Sequence, residues 1–123
     1  MLYSLFTNNP GEEFHVYLVH SSITDEEISD IERYIDNHGQ KLSVMKIDGN
    51  CFKDAPEVLH YPKEMYYRLL AYKLLPEKLD RILYLDPDIL VINPIRDLYE
   101  TDLEGYLYAA AFHNVLAVKE INR

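Results

Sequence analysis

The sequence has 123 residues, 48% of them hydrophobic, which is enough for a single core and excludes two independent domains. A formal net charge of −9 at pH 7 argues against nucleic-acid phosphates or an anionic membrane surface as the partner. Cys51 is the single cysteine, which excludes an internal disulfide or a multi-cysteine zinc site and is typical of a reducing compartment.

The first element is a short apolar helix. Residues 1–9 lead into "NNPG", residues 8–11, a helix stop followed by a turn, and their helix has no N-cap, as at the end of a longer helix. No basic segment precedes the apolar residues as in a signal peptide, and no apolar run approaches the roughly 20 residues that span a bilayer. We therefore expect a cytoplasmic location.

A strand–helix–strand unit follows. "EFHVYLVHSS" alternates and is rich in β-branched and aromatic residues, which predicts a strand near 14–20. A helix near 24–38 is indicated by Thr24 as N-cap, Glu27 three residues later, isoleucines at helical spacing and a glycine at the end. "KLSVMKID" predicts a strand near 41–47.

The second half begins with a long loop, 48–62, of the kind that is often functional. A helix is predicted near 63–75, ended by Pro76, with an apolar side formed by Met65, Leu69 and Tyr72. Strands near 81–86 and 106–112 flank a turn or short helix in "NPIRDLYETDLEG". This alternation predicts an α/β domain with a largely parallel sheet, whose ligands bind beyond the carboxyl ends of the strands.

Two aspartates interrupt the apolar run "LYLDPDILV". We expect residues 82–85 to be a strand buried on both faces, with Asp86 where it emerges at the ligand-binding edge. In a regular strand Asp86 and Asp88 would face the same side, about 6.6 Å apart at Cα, although Pro87 between them removes a backbone donor. A buried, unpaired carboxylate is costly, so something must compensate for this pair.

A divalent cation would neutralise two such close negative charges. Oxygen ligands favour Mg²⁺ or Mn²⁺ over zinc, and these ions commonly complete their shell with substrate phosphates. Two exposed aspartates in a turn after a strand are the alternative interpretation, which the apolar flanks make less favourable.

The run "YYRLLAYKLLPEKLDRILYLDPDILVINPIRDLYETDLEGYLYAA" resembles the central part of glycosyltransferase family 8, which includes bacterial lipopolysaccharide galactosyl- and glucosyltransferases and glycogenin. The family has a helix with Y-x-R-L, then Y-L-D-x-D, a short helix and a strand, and the matching residues are Tyr66, Arg68, Leu69, Tyr84, Leu85, Asp86 and Asp88. "MLYSLFTNNPGEEFHVYLVHSSIT" resembles the family's first helix and second strand, so we expect residues 1–123 to be a single, partial domain of this family.

The resemblance implies a GT-A type nucleotide-sugar-binding fold. It implies transfer of galactose or glucose, with retention, from a UDP-sugar to a glycan or lipid-linked saccharide of lipopolysaccharide type. Asp86 and Asp88 would hold Mn²⁺, or Mg²⁺, on the donor diphosphate and so neutralise the departing UDP. Arg68 would point at the donor and Pro87 would pass close to the uridine. It identifies no catalytic residue in this sequence.

The resemblance also implies parts that this sequence lacks. The family's first strand would precede Met1, and a histidine metal ligand and the acceptor-side residues would follow Arg123. We therefore expect the chain alone not to transfer sugar and to self-associate through an exposed sheet edge. Many relatives have an aspartate near the donor sugar where this sequence offers His113 or Asn114, so the sugar contact is open.

Two alternatives remain. "ILYLDPDIL" also fits haloacid-dehalogenase phosphatases, but their chains open with this strand and continue with Thr or Gly, whereas Ile89 and Leu90 follow here. The other alternative is a truncated, non-catalytic domain. We interpret the remaining histidines as strand, cap or loop residues and not as ligands: His15, His20, His38 and His60.

Overall fold

The computed structural model describes residues 1–55 and 63–110. Its elements, in chain order, are α1 (Leu2–Asn8), β1 (His15–His20), α2 (Asp25–Asn37), β2 (Lys41–Lys46), a 3₁₀ helix (Lys63–Leu70), α3 (Ala71–Leu74) and α4 (Arg96–Tyr99). No helix within these ranges has both the length and the apolarity to cross a membrane. The first four elements and the short helix in the "NPIRDLYETDLEG" segment confirm the sequence predictions.

β1 and β2 form a parallel pair, as predicted for an α/β fold. The register runs from His15 opposite Lys41 to His20 opposite Lys46. Parallel strands need a crossover connection, and α2 supplies it. Within residues 1–55 and 63–110 the sheet has these two strands.

Both ends of α2 are fixed by the local signals in its sequence. The Thr24 side chain accepts a hydrogen bond from the Glu27 amide, and the Glu27 carboxylate accepts one from the Thr24 amide, which completes a capping box. These bonds from Thr24 lower the pKa of Glu27. At the other end Gly39 has φ +67°, and the amides of Gly39 and Gln40 donate to the carbonyls of Asp36 and Ile35 in a Schellman motif.

The hydrophobic core lies where α1, α2 and the segment after the aspartate pair meet. Leu5, Phe6, Ile35 and Val91 form its buried centre, and the Ile35 side chain is completely buried. Partly buried apolar residues surround this centre: Met1, Leu2, Phe14, Val16, Ile31, Tyr34, Leu42, Leu85 and Ile95. The N-terminal helix and a segment 80 to 90 positions later in the sequence therefore share one core.

Polar side chains of α1 and its C-cap hold the backbone of that later segment. The Ser4 hydroxyl accepts a hydrogen bond from the Val91 amide at 3.0 Å, and the Asn8 side chain donates to the Val91 carbonyl at 2.9 Å. The Asn9 side chain accepts from the Ile95 amide and donates to the Leu5 carbonyl, both at 2.8 Å. We call these contacts the α1 clamp.

The predicted strand at 81–86 is not formed. No residue from 81 to 86 pairs with a strand. The strands among the described residues, β1 and β2, pair with each other. Burial on both faces is also wrong, since Ile82 and Tyr84 are about half exposed. Side chains hold the segment instead: the Arg81 guanidinium donates to the carbonyls of Tyr99 and, at 2.8 Å, Thr101. Of the strand predicted at 106–112, residues 106–110 are irregular and the rest lies outside the described residues.

The helix predicted at 63–75 forms in two parts with a different buried side. Its first eight residues are a 3₁₀ helix, which has three residues per turn and so aligns a different set of side chains from an α-helix. Tyr67 is buried, whereas the predicted core residues Leu69 and Tyr72 are exposed. The helix ends as predicted before Pro76, since Leu75 is extended with ψ 151°.

The α1 clamp yields a stability prediction for Asn9→Ala. The Asn9 side chain is buried, so its removal leaves the Ile95 amide and the Leu5 carbonyl without a partner. We expect the free energy of unfolding to fall by about 2 kcal/mol, the cost of unsatisfied buried groups. Urea denaturation followed by circular dichroism measures it.

Asn50→Ala is the matched control. The Asn50 side chain is exposed and bonds within two residues, to Asp48. Its loss should change the free energy of unfolding by less than about 0.5 kcal/mol. Equal effects of the two substitutions would contradict a structural role for the α1 clamp.

Candidate functional site

The 3₁₀ helix is attached to the carboxyl end of β1, the edge at which ligands of parallel sheets bind. Its buried Tyr67 donates a hydrogen bond from the phenol to the Ser21 hydroxyl at 2.8 Å, and Ser21 directly follows β1. Arg68 is the next residue of the helix. The structure thus places Arg68 near the sheet edge where the sequence predicts the site.

Arg68, Tyr84 and Asp86 are brought together there. The Tyr84 hydroxyl donates to Asp86 Oδ1 at 2.7 Å, and the Arg68 guanidinium carbon lies 4.6 Å from the centre of the Tyr84 ring. Arg68 Nη2 is 3.9 Å from Asp86 Oδ1, which is an ion pair too long for a hydrogen bond. We call these three residues the Arg–Tyr–Asp cluster.

Asp86, Pro87 and Asp88 form a turn and not a continuation of a strand. The Ile89 amide donates to the Asp86 carbonyl at 3.3 Å, which closes a four-residue β-turn with Pro87 at its favoured second position. The expected strand geometry at the two aspartates is therefore wrong, and the alternative of two exposed aspartates in a turn describes them. Both carboxylates are exposed, with 49% of the Asp86 side chain accessible, so solvent compensates both charges and Arg68 also faces that of Asp86.

The cluster shifts the ionisation of Tyr84. Partial burial raises the pKa of the Tyr84 phenol, and so do its hydrogen bond to Asp86 and the negative charges of Asp86 and Asp88, whereas the positive charge of Arg68 opposes the rise. Tyr84 therefore stays protonated at neutral pH and remains a hydrogen-bond donor to Asp86. The contribution from Asp88 indicates that both aspartates act on this position.

The carboxylates of Asp86 and Asp88 are suitable ligands for a hard divalent cation. Exposed carboxylates on a turn offer the oxygen ligands that Mg²⁺ and Mn²⁺ use, and Asp86 already attracts the cationic Arg68. No group of three His, Cys, Asp or Glu residues that could enclose an ion occurs within the described ranges. Water or substrate oxygens would have to supply the other ligands, as is common for Mg²⁺.

Three aromatic rings, those of Phe52, Tyr66 and Tyr67, pack together at the 3₁₀ helix. The Phe52 ring, in the segment after β2, stacks on Tyr66 with a centroid distance of 5.6 Å and tilts toward Tyr67 at 6.3 Å. Phe52 thus packs against the helix that carries Arg68. Tyr61, in the predicted loop 48–62 that also contains Phe52, lies outside the described residues.

His15, His20 and His38 lie in the strand and cap positions that the sequence predicts for them. His15 and His20 lie in β1, where His15 contacts the Ser43 hydroxyl at 2.8 Å and buried His20 accepts from the Ile23 amide. His38 is the C-cap of α2. The predictions for the other positions, His60, His113 and Asn114, fall outside the described residues.

Sequence analysis missed the roles of Tyr67 and Tyr84. The apolar run predicts that Tyr84 lies in a buried strand. Two residues that are two positions apart lie on the same side of an extended chain, so the spacing of Tyr84 and Asp86 is a signal for their contact. For Tyr67 the signal was hidden, because an α-helical period puts it on the polar side of the helix. Both contacts are made by a tyrosine hydroxyl, and the spacing of apolar residues carries no information on the partners of a hydroxyl.

Comparison with known proteins decides the family. The family model described as "Glycosyl transferase family 8" matches residues 1–120. The chain belongs to glycosyl transferase family 8. This family has the GT-A type nucleotide-diphospho-sugar transferase fold, so the resemblance and the fold class predicted from the sequence are confirmed.

Curated relatives of this family 8 chain come from several bacteria. It is 30% identical to General stress protein A of Bacillus subtilis over 112 residues. This alignment covers 89% of the chain and 39% of the relative. It is 26% identical over 106 residues to Lipopolysaccharide 1,2-glucosyltransferase of Escherichia coli K12, covering 86% and 31%. It is 30% identical over 107 residues to Glycosyltransferase GlyF of Streptococcus pneumoniae serotype 4, covering 87% and 26%. The chain thus spans less than half the length of these relatives.

The electrostatics of the Arg–Tyr–Asp cluster yield a pH prediction. The absorbance difference at 295 nm between the unsubstituted protein and Tyr84→Phe should show a transition with its midpoint above pH 10, because the pKa of Tyr84 is raised from that ordinary value. In Asp86→Asn the midpoint should fall, since a negative charge that disfavours the phenolate is gone. Circular dichroism at each pH verifies that the fold persists. A midpoint unaffected by Asp86→Asn would contradict the contact.

Proposed function

We propose that the protein carrying this chain transfers a hexosyl unit, glucose or galactose, from a UDP-sugar to a glycan or lipid-linked saccharide, with retention of anomeric configuration. The observation that carries the proposal is the convergence of Arg68 with the Asp86–Asp88 turn near the carboxyl edge of β1. Membership of glycosyl transferase family 8 supports it.

Opposite charges at the site suit a nucleotide diphosphate. The donor is an anion, and a chain with a net charge of −9 repels it unless positive charge is concentrated locally. Asp86 and Asp88 would hold Mn²⁺ or Mg²⁺, which, when bound, neutralises the charge that develops on the departing UDP. Arg68 supplies a second, permanent positive charge beside the Asp86 carboxylate and would donate to phosphate or sugar oxygens. Pro87 would lie near the uridine.

The identity of sugar and acceptor is supported by the names of relatives. Lipopolysaccharide 1,2-glucosyltransferase of Escherichia coli names a glucosyl donor and a lipopolysaccharide acceptor. We propose the same chemical classes here, and a cytoplasmic location, where nucleotide sugars would serve as donors. We also propose that residues 1–123 are one partial domain that does not transfer sugar alone.

The two alternative functions are less well supported. A haloacid-dehalogenase-like phosphatase would use Asp86 as its nucleophile, but the family match over residues 1–120 supports a glycosyltransferase. A non-catalytic domain would keep the fold without a metal requirement. The substitutions below distinguish these outcomes.

Replacing either aspartate of the turn should abolish transfer in the full-length protein. Asp86→Ala and Asp88→Ala each remove a metal ligand from an exposed turn, so we expect turnover to fall by at least about a hundredfold with an unchanged melting temperature. Release of UDP from a UDP-sugar in the presence of Mn²⁺ measures it. Asp102→Ala, another exposed aspartate, is the control and should retain activity. An active Asp88→Ala variant would exclude the proposed metal site.

Replacing Arg68 should affect the donor more than the fold. Arg68→Ala removes a partly exposed guanidinium, so we expect the KM for the UDP-sugar to rise, or turnover to fall, by about tenfold, as for a lost charge-assisted hydrogen bond. The melting temperature should stay within about 2 °C. Arg33→Ala is the matched control, since Arg33 lies in an exposed ion pair with Asp30 on α2. Unfolding of Arg68→Ala would identify Arg68 as a structural residue.

A further inference from the structure

We propose that Tyr84 is a positioning residue of the donor site, which orients the Asp86 carboxylate with its hydroxyl and supports the Arg68 guanidinium with its ring. The inference rests on the proposed function, because it takes Asp86 as a metal ligand. It adds a residue that holds the anionic and the cationic halves of the site in one arrangement.

The hydroxyl contact fixes the carboxylate without using all of it. An ionised carboxylate has about four acceptor positions, and Tyr84 occupies one of them on Oδ1 at 2.7 Å. The remaining positions, including those of the other oxygen, are left for a cation and water. Because the phenol is rigid and has few torsions, the bond restricts the rotation of an otherwise exposed side chain. Such partners of metal ligands set their orientation and raise metal affinity.

The ring contact fixes the guanidinium and keeps its donors available. Arg68 lies over the Tyr84 ring at 4.6 Å, and its Nε donates to the Met65 carbonyl at 2.8 Å. These two contacts hold the plane of the group from two sides. Nη2 remains 3.9 Å from Asp86 Oδ1, where the Tyr84 hydroxyl takes the hydrogen bond instead. Among the described residues, the terminal N–H groups of Arg68 have no hydrogen-bond acceptor within reach. They are available to the oxygens of a bound nucleotide sugar.

This arrangement gives Tyr84 and Arg68 opposite effects on a cation that binds without nucleotide. The Tyr84 hydroxyl preorganises Asp86, so its loss should weaken cation binding. The Arg68 charge lies beside the same carboxylate and repels a second positive charge, so its loss should strengthen cation binding. A purely structural role of either residue would not produce opposite signs.

Calorimetric titration of the full-length protein with MnCl₂ alone tests the carboxylate contact. We expect Tyr84→Phe, which keeps the ring and loses the hydroxyl, to bind Mn²⁺ about tenfold more weakly. Arg68→Gln should bind it about two- to fivefold more tightly. Tyr72→Phe is the matched control, because Tyr72 is an exposed tyrosine of the adjacent α3 whose ring also faces a cation, Lys73.

The outcomes separate the inference from the proposed function. Absence of Mn²⁺ binding that depends on Asp86, tested with Asp86→Asn, would overturn the proposed function and this inference with it. Binding by the unsubstituted protein that Tyr84→Phe leaves unchanged would overturn the inference alone.

Nuclear magnetic resonance of the metal-free protein tests the ring contact independently. The Arg68 Nε–H resonance should carry a ring-current shift that Tyr84→Phe preserves and Tyr84→Leu removes. An unchanged resonance in Tyr84→Leu would exclude the support of Arg68 by the ring, whatever the metal measurements give.

Discussion

The attachment of residues 91–95 to α1 is the constraint on which the rest of the structure depends. Val91 is buried in the core, and both its backbone amide and its carbonyl are bonded to side chains of α1. The Asp86–Asp88 turn lies just before this anchor. On the other side of the turn, the Arg81 guanidinium donates a hydrogen bond to the Thr101 carbonyl, just after α4. The exposed turn is thus held from both sides by ordered backbone, although it belongs to no sheet ladder among the described residues.

The charges of the site are arranged by a neutral group. Asp86 and Arg68 are oppositely charged and partly exposed, and such ion pairs contribute little to stability because solvent screens them. Tyr84 gives each a defined position, through a hydrogen bond to one and a ring face to the other. The phenol is uncharged at neutral pH, and the rise in its pKa extends that state to higher pH, so Tyr84 positions both groups without adding charge.

Local signals made half of the fold predictable. Thr24 and Gly39 define the ends of α2 through contacts within four residues, so the sequence alone determines them. The contact between Asn9 and Ile95 spans 86 positions and leaves no periodic pattern, so no reading of one segment reveals it. For the site, the spacing of the aspartates and the family motif indicated Asp86 and Arg68. The turn geometry and Tyr84 were missed because they depend on which neighbours the segment has.

The long sequence separation of the α1 clamp has a consequence for folding. The β1–α2–β2 unit pairs residues 26 positions apart, against 83 to 87 positions for the α1 clamp, and should form earlier, because closing a shorter loop costs less entropy. The side chains of Ser4, Asn8 and Asn9 make some hydrogen bonds within α1, but those of the α1 clamp to Val91 and Ile95 need residues 91–95. We therefore expect α1 to complete these contacts only after residues 91–95 have been synthesised. The aspartate turn lies just before Val91, so we expect it to reach its final geometry later than the β1–α2–β2 unit.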